Sequence, residues 1–577
     1  ALERVLADEG LRVGEWFGCL GDECGWVSGE AVGAGLAGAG ETVGEVLSSV
    51  VSSQPKRLAV ADGERRWSYG ELWLRAAAVS RALQTAGLVP GERVGLVGGH
   101  DGPLLAGLLG IVLAGGAYVP LEPWQPQSRW EAVRAAQGLR RVVTVAGEAE
   151  RAASLGLPLV VVESLPADAG GEALVAVSPD APVYVLHTSG TTGAPRAVMQ
   201  TQAGLLWQLA RYAGSLGLGR EDRLSWLSGY GYDAALQDVF GALLSGASLH
   251  AVDVQGGGLD GAGVLARLAD AGVTVLHATP TVYRYLLGAE LSCRHELGSL
   301  RWVVLGGEAA RASDLALLAS RLGPGVGLVN GYGLTECTVA TRWVGDARSR
   351  LRGEWLPLGR PVGPLSLRLE SAPGEAGWCG EIVLRAAGLA AGEGEGESRV
   401  YRTGDLAYWR ADGELMYAGR RDAQVQLGGR RLELDEVAAV LERHAAVRAA
   451  AAAVWPGPDG VLRLAGYYEA AAELDPAELR AHCRGWLADW AVPVAWLRLA
   501  RLPRRANGKL DRDALPAPRW GAAGRRLPAG ELERQIAGLC AELLGRETIG
   551  ADDDFFALGG HSLLALQLIA RIREQTG

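Results

Sequence analysis

Lysine is all but missing from this 577-residue chain: of its 56 basic residues only Lys56 and Lys509 are lysines, and the rest are arginines. An ammonium is a compact point charge on a thin stem and a guanidinium is a planar fork, so a lysine kept in such a chain marks a position where a fork does not fit. Lys56 stands in a Gln-Pro-Lys-Arg turn and reads as a surface residue, whereas Lys509 lies in the segment Asn507-Gly508-Lys509-Leu510-Asp511. The chain also lacks any block of roughly five or six like charges, and its formal charge is −10. Nothing in it is suited to neutralising a phosphate backbone, which argues against a nucleic-acid partner.

Paired cysteines are absent as well. The seven cysteines (Cys19, Cys24, Cys293, Cys337, Cys379, Cys483 and Cys540) are odd in number and show no C-x-x-C spacing, so neither a disulfide framework nor a zinc site is indicated. A reducing cytoplasm is the expected location. No apolar run reaches membrane length unbroken: residues 104–121 come nearest, but Gly115, Gly116 and Pro120 interrupt them, which predicts a buried helix followed by a strand. The N-terminus has neither the basic start nor the apolar core of a signal peptide. No membrane partner is expected.

At roughly 150 residues per domain, the length predicts about four globular units. Residues 1–40 are Gly-rich, carry no readable motif, and are taken as a leader or the remnant of an upstream domain. From residue 57 onward, short Val/Leu/Ile runs (93–97, 141–145, 159–162, 183–186, 273–276, 302–305) alternate with longer Ala/Leu/Arg stretches, which predicts β/α layers with largely parallel sheets. Near Gly419 the pattern changes to strands at 424–427 and 462–468, a helix at 433–446 and a Trp-rich helix at 477–490, a smaller α+β unit. A hinge is expected at 419–423. Residues 516–530 have the composition of a linker, and 531–544 and 562–574 read as helices of a last unit of marginal size. The fold class is thus α/β and α+β, multidomain, divided as 1–40, 41–421, 422–515, 516–530 and 531–577.

Four segments carry chemistry. Thr188, Ser189, Gly190, Thr191, Thr192 and Gly193 follow a predicted strand and pack hydroxyls and glycines into a short loop that can offer N–H and O–H donors to a polyphosphate. It is not a Walker P-loop, because no G-x-x-x-x-G-K-[ST] is present. Asn330-Gly331-Tyr332-Gly333-Leu334-Thr335-Glu336 ends in a carboxylate suited to magnesium. Tyr401-Arg402-Thr403-Gly404-Asp405 presents a carboxylate that can accept two hydrogen bonds from a vicinal diol. The fourth is the segment around Lys509.

In this order, and together with Trp67-Ser68-Tyr69-Gly70-Glu71-Leu72, residues 113–121 and Gly419-Arg420-Arg421-Asp422-Ala423-Gln424-Val425, these motifs resemble the adenylate-forming superfamily. More closely, they resemble the adenylation domains of non-ribosomal peptide synthetases followed by a peptidyl carrier domain. The resemblance implies a large adenylate-forming core, a small mobile subdomain and a helical carrier. It implies a two-step reaction, in which an amino acid carboxylate attacks the α-phosphate of ATP and a thiol then captures the acyl group. By the same resemblance Lys509 bridges carboxylate and phosphate, Thr335 contacts the α-phosphate and Glu336 holds Mg2+. Tyr332 faces the adenine and Asn330 its amine, Asp405 and Arg420 hold the ribose, and Gly307 joins the nucleotide site. Asp422 is the hinge about which Lys509 leaves and Gly428-Gly429 enters.

Departures from the family pattern are Ala194, Arg196 and Ala197 in the phosphate loop, and Gln426 and Gly428 in the small unit. The carrier signature runs from Asp554 to Leu563, and Ser562 within it would bear phosphopantetheine; with only 15 residues after Ser562, just the N-terminal part of a carrier is represented. Implied partners are neighbouring synthetase domains such as a condensation domain, a phosphopantetheinyl transferase and a small MbtH-like helper protein.

Asp233 matches the family's aspartate for the α-ammonium, which favours an α-amino acid substrate. The matched side-chain pocket is Ala234, Gln237, His277, Val304, Gly306, Gly331, Val339 and Ala340. Gln237 and His277 predict a polar side chain, serine-like or glutamate/glutamine-like, because buried polar groups reject apolar analogues. Competing readings are an acyl-CoA ligase, disfavoured by Asp233 and the attached carrier, and a catalytically degenerate scaffold, disfavoured by the joint presence of Lys509, Glu336 and Asp405.

Overall fold

The computed structural model describes residues 27–28 and, from 41 onward, all except 64, 167–172, 189–195, 255–260, 289–296, 352, 372–378, 391–398, 411, 422–423, 428–429, 458–461, 505–509, 519, 521–527, 545–547, 552–554, 556–567, 569–570 and 573–577. Ser189, Gly190, Thr191, Thr192, Gly193, Asp422, Gly428, Gly429, Lys509 and Ser562 therefore lie outside the described residues, as does most of the helix expected at 562–574.

Two mainly parallel sheets carry the larger part. In the six-stranded sheet the order is Leu159–Val161, Val142–Thr144, Arg93–Val97, Ala117–Pro120, Pro182–Thr188 and Arg196–Thr201, parallel except for the last strand, which folds back on its neighbour. The nine-stranded sheet runs Arg360–Pro361, Thr341–Asp346, Gly327–Tyr332, Trp302–Leu305, Val275–Ala278, Arg223–Trp226, Ser248–Ala251, Leu58–Asp62 and Arg65–Ser68, with antiparallel pairs only at its two ends. Their interior strands are near-continuous Val/Leu/Ile runs because both faces are covered. One hydrophobic cluster joins the sheets, with Val94, Val143 and Val183 from one and Leu224, Leu249 and Val275 from the other. The apolar stretch behaves as its breaks predicted: helix Gly102–Leu113 is buried at every residue and is followed by strand Ala117–Pro120. It lies so close to helix Tyr69–Thr85 that a Cβ on Gly110 would stand 2.4 Å from Val79 Cβ, which is why glycine occupies the crossing.

The sequence pattern did not reveal a separate five-stranded sheet, which is antiparallel and built from Val27–Ser28, Ser366–Glu370, Cys379–Arg385, Val400–Trp409 and Leu415–Arg420. Its strands alternate buried and half-buried positions, as half-solvated antiparallel strands do, and in sequence they merge with the preceding β/α runs. Val27 pairs with Leu367 at its edge, so part of the unreadable first 40 residues adds a short strand to the fold.

Residues 424–515 contain a hairpin (Gln424–Leu427 with Arg430–Glu433), a three-stranded sheet (Ala449–Pro456, Leu462–Glu469, Ala495–Arg498) and helices Leu434–Glu442 and Pro476–Arg484 around their own core of Val437, Leu441, Tyr468, Leu479 and Cys483. Both helices are shorter than expected. The second ends at Gly485, whose N–H bonds to the Ala481 carbonyl, so the Trp-rich stretch that follows is turn with a short 3-10 segment, Asp489–Ala491. The expected linker begins docked: Tyr467 Oη donates to the Pro516 carbonyl at 2.8 Å and Trp520 Nε1 to the Pro456 carbonyl at 3.0 Å. Helix Glu531–Leu543 follows. Among the described residues no helix is long and apolar enough to cross a membrane, and no disulfide joins Cys337, Cys379, Cys483 and Cys540.

Candidate active site

The C-terminal ends of four parallel strands, Pro182–Thr188, Val275–Ala278, Trp302–Leu305 and Gly327–Tyr332, open on one cleft of about 250 Å³, the usual place for a ligand in an α/β sheet. Asp233, Ala234, Gln237, His277, Val304 and Gly306 line it, and so do Gly307, Gly331, Thr335, Val339 and Thr188. Ala340 departs from the matched pocket: its side chain is fully buried in the cluster of Leu334, Cys337 and Leu365, beneath the cleft and not on its wall.

Helix Asp233–Leu244 aims its first turn at the cleft. Asp233 Oδ1 accepts the Ala234 N–H at 3.0 Å. Burial pushes its pKa up, and nearby Glu336 adds to this, while the Ala234 N–H and His277 oppose them. One turn on, Ala234, Gln237 and Asp238 share a face by helical i, i+3, i+4 spacing. Asp238 is fully buried and its Oδ1 lies 2.9 Å from His277 Nδ1, while the His277 backbone N–H donates to Ser225 Oγ at 3.0 Å. Asp238 escaped the sequence reading, although the same spacing that pairs Ala234 with Gln237 would have found it.

Beside this pocket a second group forms. Tyr332 Oη donates to Asp405 Oδ2 at 2.6 Å, and Arg420 donates from Nη1 to Asp405 Oδ1 at 2.6 Å and from Nη2 to the Thr403 carbonyl at 3.1 Å. The antiparallel register that sets Asp405 opposite Arg420 makes the pair. Burial raises the Tyr332 pKa well above the usual phenol value, and Asp405 reinforces it. Asn330 donates from Nδ2 to the Pro357 carbonyl at 2.7 Å, which leaves Oδ1 as its acceptor. The turn from Gly333 to Thr338 is tight: a Cβ on Gly333 would fall 1.4 Å from the Thr338 carbonyl oxygen, and Thr338 itself has φ of 53°.

That turn buries Glu336, whose Oε1 accepts from Tyr401 Oη at 2.6 Å and lies 3.9 Å from Arg196. A single hard carboxylate is what magnesium requires of a protein when phosphates supply its other ligands, so Glu336 fits the metal assigned to it. Among the described residues no group of three or more His, Cys, Asp or Glu forms a metal cage of its own. Thr188 and Arg196 pair across the hairpin, and Thr188 lines the cleft.

The small unit closes one wall. Arg430 sits 5.1 Å from the Trp124 ring centroid, 5.4 Å from that of Tyr232 and 5.3 Å from that of Trp490, and the first two rings stack with planes 3° apart. Arg129 bonds Glu436 at 2.9 Å across the same contact. Under it, Glu122 is buried and accepts the Gly231 N–H at 3.2 Å; burial pushes its pKa up to about 7, against the pull of Arg430. No local pattern pointed to these residues, because the rings come from positions 124, 232 and 490.

The profile described as AMP-binding enzyme matches residues 47–392, and that described as phosphopantetheine attachment site matches 534–577. The chain belongs to the AMP-binding enzyme family. With its carrier segment it is a nonribosomal peptide synthetase adenylation domain followed by a peptidyl carrier domain. It is 35% identical over 576 residues to a dimodular nonribosomal peptide synthase of Bacillus subtilis, covering 92% of this chain and 24% of that protein. It is 34% identical over 565 residues to malpinin synthetase of Mortierella alpina, covering 90% of this chain and 7% of that protein. Among solved structures, holo-PA1221, an NRPS protein containing adenylation and PCP domains bound to a vinylsulfonamide inhibitor, matches with TM-score 0.74 at 29% identity over 93% of both chains. The chain thus spans no more than 24% of the length of these two curated relatives.

In this adenylation domain two groups of sequence-read residues become neighbours: the pocket around Asp233, Gln237 and His277, and the cluster of Tyr332, Asp405 and Arg420. Gly331 and Thr335, from the segment between them, line the pocket itself.

Proposed function

We propose that the adenylation domain activates an amino acid with a polar side chain as its aminoacyl-AMP and loads it as a thioester on a phosphopantetheine arm at Ser562. The observation that supports this most is Asp233, a carboxylate whose burial calls for a cation, in a cleft beside the Tyr332–Asp405–Arg420 cluster. The α-ammonium pairs with Asp233, and the side chain points to Gln237 and His277. Asn330 Oδ1 accepts from the adenine amine, the Tyr332 ring covers the base, and Asp405, steadied by Arg420, receives the ribose hydroxyls. Thr335 and the 188–193 loop, with Gly307, donate to the phosphates.

The substrate carboxylate oxygen bonds to the α-phosphorus and the bond to pyrophosphate breaks. Charge on the equatorial oxygens grows in that step, and Lys509 stabilises it more in the transition state than before it. Magnesium held by Glu336 would neutralise phosphate charge. A phosphopantetheine arm borne by Ser562 would supply the thiol that accepts the acyl group, with AMP as the leaving group. Gln426 and Arg430, which flank the 428–429 segment, line the cleft, and this supports reading the present orientation of the small unit as the thioester-forming one. The domain then works in the cytoplasm with a phosphopantetheinyl transferase and neighbouring synthetase domains such as a condensation domain, and with an MbtH-like helper.

Amino-acid-dependent ATP–pyrophosphate exchange across the proteinogenic set, with α-methylated and hydroxylated analogues, tests the reading. Exchange with a polar amino acid is expected, and silence from folded protein supplied with helper would overturn it. Ser562→Ala is expected to leave exchange unchanged and to abolish loading of radiolabelled amino acid. Removing the cation–π contacts by Arg430→Ala gives up about 1–2 kcal/mol of the small unit's hold on the core. Loading should slow roughly tenfold with exchange preserved, as stopped-flow or quenched loading assays would read.

A further inference from the structure

The floor of the side-chain pocket carries a charge arrangement that narrows the substrate class, an inference that rests on the activation reading above. We propose that Asp238 is a specificity-determining residue: paired with His277 Nδ1, it directs Nε2–H into the cleft and cancels the imidazolium charge. The domain thereby selects an amino acid with an uncharged, oxygen-bearing side chain, a hydroxyl or carboxamide, and rejects the matching carboxylate.

Geometry carries the argument. Nδ1 is spent on Asp238 at 2.9 Å, so Nε2 is the nitrogen left for a ligand. It faces Gly306: a Cβ built there would stand 3.9 Å from Nε2, and one on Gly331 would meet nothing nearer than the Leu305 carbonyl oxygen at 3.5 Å. At both positions a Cβ would stand at ordinary van der Waals distance and is missing, so the two glycines leave space beside Nε2 for a substrate group. Gln237, on the same wall, has Oε1 buried without a hydrogen-bond partner, an acceptor that lacks a donor. A hydroxyl or carboxamide can accept from Nε2–H and donate to Gln237. A carboxylate cannot donate, and an alkyl chain satisfies neither group.

Charge points the same way. The titratable groups facing His277 are Asp238 and Asp233 from one helix, and Tyr212, whose ring centroid lies 6.1 Å away, from another. The α-ammonium balances Asp233, and the imidazolium balances Asp238, whose Oδ2 has no hydrogen-bond partner. A side-chain carboxylate would be a third anion with no cation left to meet it, and an unpaired buried charge is costly. Burial alone would lower the His277 pKa, yet Asp238 reverses this and holds it above the usual value.

The test is exchange kinetics on the full chain, comparing glutamine with glutamate, asparagine with aspartate, and serine and threonine with alkyl isosteres. The wild-type protein is expected to prefer an uncharged oxygen-bearing side chain over its carboxylate or alkyl counterpart by about 10²-fold or more in kcat/KM. In Asp238→Asn no fixed anion faces His277 Nδ1, so a substrate carboxylate can itself pair with the protonated imidazole, and below the lowered His277 pKa that ratio falls at least tenfold, whereas Asp238→Glu keeps it. For the preferred substrate, kcat/KM should fall as pH rises through the His277 pKa, and in Asp238→Asn the fall should come at lower pH. If Asp238→Asn does not fold, His277→Gln, which removes the cation and leaves Asp238 uncompensated, should exclude the carboxylate at least as strongly and abolish the fall of kcat/KM with rising pH. A role for Asp238 in packing alone would depress all substrates equally and leave the ratio and the pH profile unmoved, which would overturn the proposal. So would wild-type exchange led by a carboxylate or an alkyl side chain. Silence with every amino acid would instead overturn the activation reading, and this inference with it.

Discussion

Lys509→Ala is expected to lower amino-acid-dependent ATP–pyrophosphate exchange by about 10²–10³-fold, the usual loss when one donor to developing oxyanion charge is removed. Thioester formation from supplied aminoacyl-AMP should be spared. The argument begins in composition: a chain that uses arginine almost everywhere keeps an ammonium here. Two anions, a carboxylate and a phosphate, must approach within bonding distance, and a compact point charge fits between them where a planar fork does not. Lys509→Arg is therefore the sharper control, since it preserves charge and should still lose most of the exchange. The neighbours of the 505–509 segment, Arg504 and Leu510, bridge to each other, and Leu510 packs on the small unit with Tyr467 and Leu515, so the chain on both sides of that segment belongs to the small unit. Equal loss of both half-reactions would refute the role.

Asp233→Asn should raise KM for the amino acid and cut kcat/KM for exchange by roughly two to four orders of magnitude, because the ammonium would be left uncompensated at a cost of about 3–5 kcal/mol. Thermal stability is expected to move the other way or stay put. Without substrate this carboxylate is penalised by burial and by Glu336, so replacing it with a neutral isostere relieves the folded state. The raised pKa sets the pH dependence. Ammonium binding needs the ionised carboxylate, so exchange in the wild-type protein should decline as pH falls through that pKa, and Asp233→Asn should show no such decline. An unchanged KM in Asp233→Asn, by steady-state exchange, would remove Asp233 from the amine site.

Much of the fold was legible where the chain obeys one period at a time. The parallel strands show as unbroken Val/Leu/Ile runs because both faces are covered, and the apolar stretch 104–121 declared its helix and strand through its glycines and proline. The antiparallel sheet was hidden because its half-buried alternation follows the β/α runs without a change in composition. The Trp-rich stretch stays helical only to Arg484, because Gly485 caps the helix and the tryptophans follow that stop. In the site, motif residues were readable as short strings. Asp238, Glu122 and Arg430 were not, one lying a single residue past the matched pocket and the others defined only by distant partners.

The sequence by itself determined the chemistry available: a lone ammonium near the end, a hydroxyl-rich loop, the carboxylates at 233, 336 and 405, and a serine in a carrier signature. These depend on residue types at short spacing, which a string preserves. Only the tertiary structure decided how those groups are poised. The antiparallel register sets Asp405 against Arg420, packing of helix Asp233–Leu244 on strand 223–226 brings Asp238 to His277 on the neighbouring strand, and domain contact places Arg430 among three rings. Charge state and direction follow from burial and from partners far apart in the chain, and those exist only once it has folded.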